Sequence, residues 1–132
     1  MKILSKYICK RGQSIVEMAI ILPILILILM SIIDFGLMFN SVLVINNASR
    51  EGARSAAVGL GDSEITAMIQ SVTSELDQGS ISIDINPLEG SRTRGDQVTV
   101  RITYQNEMIT PIISAIVGDF VELNAETVMR VE

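Results

Sequence analysis

The sequence predicts an α+β protein: a long N-terminal transmembrane helix continuing outward, a second amphipathic helix, and a small antiparallel sheet of about three strands. Three observations carry that prediction. Met18 to Ile33 is an unbroken apolar run apart from Ser31 and Pro23. Ile65, Met68, Ile69, Val72 and Leu76 recur at the 3.6-residue period of an amphipathic helix. Ile81, Ile83 and Ile85, then Val98, Val100, Ile102 and Tyr104, alternate at the period of two that marks half-buried strands. With 132 residues, the chain holds one small domain beside the membrane helix and no second one, since domains typically need roughly 100 to 150 residues.

The apolar run comes first. Sixteen residues from Met18 to Ile33 rise about 24 Å, slightly less than a bilayer core, and Ile15, Val16 and Phe35 to Phe39 extend the apolar face enough to span it. A cleaved secretory signal would carry a shorter apolar core and an A-x-A-like site after it, and neither is present. Apolar residues make up 48% of the chain but concentrate in its first third, so one span is counted. Lys2, Lys6, Lys10 and Arg11 all precede the run, and every later basic residue is an Arg well beyond it. The positive-inside rule therefore places the N-terminus in the cytoplasm.

Glu17 is the anomaly. A carboxylate at the edge of hydrocarbon is costly unless it finds a partner. Should the bond between Gly12 and Gln13 be cut, the new α-amino group would lie within about two helical turns of Glu17, and the amine of a staggered neighbour could reach it equally well. In an uncut chain Glu17 would instead snorkel toward the cytoplasmic headgroups beside Lys10 and Arg11. The residue types leave both readings open.

Beyond the run, Pro23 is expected to bend the helix, a tolerated event in a membrane segment. Asp34 reads as the outer boundary, and the helix is expected to continue through Leu37, Val42, Leu43 and Ile45 to Val58, before Gly59-Leu60-Gly61. Wrapped at 100° per residue, Ala48, Gly52, Ser55, Ala56 and Gly59 share one arc. Such small residues permit close helix packing, either on this protein's own sheet or on a neighbouring subunit. Arg50 and Arg54 fall on the opposite side, solvated or near headgroup phosphates, with Glu51 placed to pair with Arg54.

Asp62 is expected to cap the second helix, which should end near Gly79. Pro87, Gly90 and Gly95-Asp96 delimit a polar turn carrying Arg92 and Arg94, so the flanking strands read as an antiparallel hairpin. Pro111 opens a short apolar piece, Ile112 to Val117, ended by Gly118-Asp119. Phe120 to Val131 reads as a third strand, with Val121, Leu123, Ala125, Thr127, Met129 and Val131 on one face.

Composition narrows the function. After Gly12 the chain has six Arg against fifteen acids, a net of −9, which disfavours nucleic acid or anionic lipid as partners of the outer domain. Cys9 is the only cysteine, so that domain holds together without disulfides; Cys9 is either incidental or a palmitoylation site. With no His and scattered carboxylates, neither an enzyme, a metal site, a cofactor nor a small-molecule substrate is expected. Asp34-Phe35-Gly36 matches a kinase metal-binding triplet, but no Gly-rich loop, strand lysine or catalytic loop accompanies it. Asn47-Ala48-Ser49 fits a glycosylation pattern by chance, inside a predicted helix.

Three motifs in this order resemble the TadE-like family of the Tad (type IVb, Flp) pilus-assembly system: Arg11-Gly12-Gln13-Ser14-Ile15-Val16-Glu17 leading into the helix, Asp34-Phe35-Gly36, and Asn47-Ala48-Ser49-Arg50-Glu51-Gly52-Ala53-Arg54. The closing Thr127 to Glu132 agrees in kind. Met18 departs from the pattern, where members often carry an aromatic residue. The resemblance implies a pilin-like fold and a minor pseudopilin, cut between Gly12 and Gln13 by a membrane aspartyl prepilin peptidase. Residues 1–12 would form the leader, 13–39 the transmembrane helix and 40–132 an extracytoplasmic domain. Glu17 would neutralise the new N-terminus during assembly, and Ala48, Gly52 and Ala56 would serve helix packing. The implied partners are membrane lipid, the peptidase, other pilin-like subunits and the inner-membrane platform of the apparatus. The implied place is the inner membrane, or the pilus itself in an adhesion system. An unprocessed single-pass scaffold of the same apparatus is the alternative.

Overall fold

In a computed structural model, residues 5–111, 114, 115 and 118–132 are described, with side chains described from Gly12 onward. Lys2 lies outside the described residues, as do the side chains of Lys6, Cys9, Lys10 and Arg11. Of the apolar piece 112–117, only Ser114 and Ala115 are described, and both are helical.

The chain is α+β, built from a long apolar N-terminal helix, a short second helix and a three-stranded antiparallel sheet. Helix α1 runs without interruption from Ser5–Ala57, 53 residues with Pro23 inside it. It is long and apolar enough to cross a membrane. It stops just before the first left-handed residue among those described. Gly59 has φ +90, its amide donates to Ala56 O at 3.2 Å, and the Leu60 amide reaches back to Ser55 O at 3.1 Å. That pair of bonds is a Schellman motif, which satisfies carbonyls the helix end leaves unpaired.

Helix α2 (Asp62–Val72) differs from expectation at both ends. Its N-cap is Gly61, with the Gly61 amide donating to Glu64 Oε2 at 3.4 Å. Asp62 is instead taken up by Arg92. The helix ends at Val72 rather than near Gly79, and Thr73, at its C-cap, directs both its amide and its hydroxyl to Ile69 O, at 2.9 and 2.8 Å. A Thr side chain bonding back in this way competes with helix continuation. Gln78 Nε2 then donates to Thr73 O at 2.7 Å, folding the next turn back on the helix end. Leu76, expected on α2, lies in that turn, still half-buried against the core.

The strands are β1 (Ile81–Asn86), β2 (Gln97–Glu107) and β3 (Phe120–Arg130), in the order β1-β2-β3, with both neighbours antiparallel. Ile83 faces Ile102, and Ile102 faces Ala125, so all three alternations point to the same side. On that side β2 buries Val98, Val100, Ile102 and Tyr104 under α1 and α2. The other side is polar: Arg101 Nη2 donates to Glu126 Oε2 at 2.7 Å, and Thr103 to Asn124 at 2.8 Å. The hydrogen bond and charge of Glu126 raise the Arg101 guanidinium above its ordinary range, keeping it charged.

The core is filled by Ile45, Ile65, Ile69, Ile102, Val98 and Val100, all fully buried. Each such side chain contributes roughly 1.5 to 3 kcal/mol relative to exposure. Polar clasps join α1 to the sheet along its length. Ser41 Oγ donates to Asn106 Oδ1 at 3.3 Å, and Ser49 and Thr127 share a hydroxyl contact at 2.8 Å.

Candidate functional site

All three motifs lie on α1. Around Gly12, Gln13 and Glu17 the helix is exposed and meets no other element among the described residues. A Cβ at Gly12 would meet no atom within 4 Å, and the peptide bond to Gln13 lies in helical backbone. Gln13 Nε2 donates to Glu17 Oε1 at 3.0 Å, so in the intact chain the acid holds a neutral partner one turn earlier. Its other lone pairs face outward. From Ile15 to Ile33 the large apolar side chains are exposed on nearly every side of the helix. An all-round apolar helix suits burial or a membrane, not water.

Asp34 breaks the pattern. It is only 5% exposed, and its Oδ2 accepts from the Thr110 amide at 3.0 Å. The connection between β2 and β3 thus folds back onto α1 at this level, and Thr110 is buried with it. Thr110 Oγ1 is the buried side-chain atom left without a partner among the described residues. The neighbours in the motif point elsewhere: Phe35 is exposed and Gly36 has open space around it. Asp34 was legible as an acid amid Ile32, Ile33 and Phe35; its partner 76 positions on was not.

In the third motif the small residues turn inward. Ala48, Gly52 and Ala56 are buried, as are Ser49 and Ala53. A Cβ on Gly52 would stand 2.9 Å from Ile69 Cδ1 and 3.2 Å from Val100 Cγ1. The arc therefore lies against this chain's own α2 and sheet. Ser55 is half-buried, and Gly59 lies beyond the helix end, exposed. Arg50, Glu51 and Arg54 are exposed and line an open cleft of about 800 Å³ with Asn47, Ser55, Val58 and Met129. Glu51 and Arg54 form no ion pair within 4.0 Å, unlike the expectation. Such exposed pairs contribute little and are readily exchanged for water.

Sequence reasoning missed Arg92. Its side chain is 5% exposed and forms an ion pair with Asp62. Its Nη1 donates to Leu60 O at 2.9 Å and its Nε to Pro87 O at 3.0 Å, and the Glu89 amide donates to Asp62 Oδ2 at 2.9 Å. The start of α2 and the β1–β2 turn are thereby tied into one unit. No group of three or more metal-ligating side chains is present among the described residues.

Together these features define a class: a helix exposing a membrane-type apolar surface over its first half and carrying a small α+β head on its second. Residues 12–54 match the family model described as TadE-like protein, a stretch that takes in all three motifs apart from Arg11. No curated protein and no solved structure matches the chain. The family match supports, in general terms, a pilin-like role associated with the Tad pilus and a single-pass membrane location.

Proposed function

We propose that this protein is a minor pseudopilin of a Tad-type pilus apparatus, matured by a prepilin peptidase that cuts between Gly12 and Gln13. The observation that carries the reading is Glu17 on an otherwise apolar and uncovered helix, one turn from the proposed new N-terminus. Cleavage would bring a second and stronger partner. The α-amino group created on Gln13 is cationic, so it adds the attraction of opposite charges to a hydrogen bond on the Glu17 carboxylate, which the neutral Gln13 amide cannot supply. Within a bundle of pilin-like helices, the same amine on a staggered neighbour would pair with Glu17 and set the register.

In this reading residues 1–12 form the leader, 13–39 the membrane helix and 40–132 the head outside the cytoplasmic membrane. The basic leader supports a cytoplasmic N-terminus. Partners are lipid, the peptidase, other pilin-like subunits and the membrane platform of the apparatus. Phe35, Gly36, Phe39 and Leu43, exposed on the helix, would face neighbouring subunits.

One observation favours a second reading, an unprocessed single-pass scaffold. The Gln13 amide already partners Glu17 in the intact chain, and the helix runs unbroken through Gly12. Glu17→Ala separates the two. A processed subunit carrying it is cut normally but is missing from sheared filaments, whereas a scaffold carrying it supports piliation as before. Normal recovery of the variant in filaments would refute the role given to Glu17.

A further inference from the structure

The connection between β2 and β3 has properties that the pilin-like reading leaves unused. Ile109 is 66% exposed, yet the next residue, Thr110, is buried on Asp34. Thr110 and Pro111 form one wall of a cleft of about 330 Å³ whose other wall is Leu22, Pro23, Ile26, Leu27 and Met30 of α1. Those five belong to the apolar run, and from Leu22 to Met30 the helix rises roughly 12 Å. The connection therefore reaches below the level of Asp34, alongside residues that face hydrocarbon when α1 spans a membrane.

Irregular backbone is costly at that depth unless its polar groups are paired, and here several are. The Thr110 amide is held by Asp34, and Pro111 has no amide hydrogen to satisfy. Ser114 N donates to Thr110 O at 3.0 Å, Gly118 N to Ser114 O at 2.8 Å, and Met108 N to Asp119 O at 3.1 Å. Asp34 itself would be an expensive residue beside lipid, and it is covered by the segment it binds. The cleft walls are bulky Leu, Ile, Met and Pro side chains. Close packing of a second helix favours small residues instead, and the walls continue into the exposed apolar face of Ile21, Ile24, Leu25 and Ile28.

We propose that the β2–β3 connection at Ile109–Pro111 is a second membrane contact. It enters the outer leaflet beside α1, with a lipid acyl chain filling the cleft. The inference rests on the membrane-spanning reading of α1. Its consequence is that the head is fixed to the bilayer at two points and cannot swivel freely about the helix.

The test uses the full chain in phosphatidylcholine vesicles, with Cys9→Ser to remove the native thiol and a nitroxide on one introduced cysteine. Three positions are compared: Ile109→Cys, Ile26→Cys within the apolar run, and Ser82→Cys on the open face of the sheet. Collision with oxygen, which concentrates in lipid, is measured against collision with a water-soluble nickel chelate. A label at 109 is expected to prefer oxygen as one at 26 does, while a label at 82 prefers nickel. If 26 prefers oxygen and 109 prefers nickel, the second contact is wrong and the membrane reading stands. If both prefer nickel, the membrane reading fails and takes this inference with it. A label at 109 shielded from both reagents would put a second protein chain, not lipid, in the cleft and would equally overturn the proposal.

Discussion

The two halves of α1 share one backbone and differ in almost everything else. From Ile15 to Ile33 the side chains are large, apolar and uncovered; from Ser41 to Ala57 one stripe is small or β-branched and buried, while Arg50 and Arg54 stand in the open. The first half touches the rest of the chain only near Thr110 and Pro111 among the described residues, so its stability comes mainly from what surrounds it. The second half is stabilised by α2 and the sheet, which approach closely only because Gly52 and its alanine neighbours leave room. Between them, Asp34 is the point where the head first takes hold.

That contrast can be broken most readily on the head side. Arg92→Met removes the charged partner of the half-buried Asp62, which keeps only the Glu89 amide, and frees two carbonyls, so it is expected to cost about 3 kcal/mol, the upper end for hydrogen bonds to charged groups. Thermal melts of the full chain in detergent, followed by circular dichroism, should show a clear fall in the head transition; an unchanged melt would mean Arg92 is not a tie. Gly52→Leu forces Ile69 and Val100 apart and should cost about 2 to 3 kcal/mol, the usual scale of overpacking. The same melts test it, and a stabilised variant would show that the helix and sheet are not in close contact there.

Asp34→Ala is expected to cost roughly 1 to 2 kcal/mol, because the Thr110 amide loses its acceptor while buried. Hydrogen exchange at that amide should accelerate; unchanged protection would place the β2–β3 connection elsewhere. On the other half of the helix, Ile21→Ser should leave the head melt within about 0.5 kcal/mol, as for surface changes generally. It should instead weaken retention in the membrane fraction. A large loss of head stability would mean that the two halves are coupled.

The smallest effect expected is with pH. Asp77 and Asp96 are held below the usual carboxylate range, Asp77 by the Ser80 hydroxyl and then the Gly79 amide, Asp96 by the Thr93 hydroxyl and then its amide. A carboxyl with a depressed folded-state pKa stabilises the fold above its ordinary value near about 4 and loses that contribution as pH falls through the folded value. Acid titration of the melting point should therefore be shallower in Asp96→Asn than in the parent below that pH. Curves of equal slope would argue against the Thr93 contact in solution.

Much of this was legible before any coordinates. The apolar run, the acid at Glu17 and the three alternating segments carry short-range periodicities, and those map directly onto α1 and the sheet. What was not legible depends on partners far along the chain. Asp62 looks like a cap because Asp favours that position, but Arg92, thirty positions on, claims its carboxylate and leaves the cap to Gly61. The apolar spacing through Leu76 suggests a longer α2, but the chain turns back at Thr73, whose carbonyl accepts from Gln78. The small-residue arc allowed two contacts, and only the arrangement of β2 shows that Gly52 lies against Val100. Asp34 reads as a boundary marker from its neighbours, and nothing local announces Thr110.

The central claim concerns Gly12 and Gln13, and it is tested most directly by the intact mass and N-terminal sequence of the protein purified from cells that also make the prepilin peptidase. Gly12→Leu is the matched control: open space around Gly12 lets the chain itself accept a side chain, so any block lies in the peptidase. The account predicts a chain beginning at Gln13 for the parent and at Met1 for the variant. A parent chain that still begins at Met1 in the presence of active peptidase would contradict it and leave an unprocessed membrane scaffold.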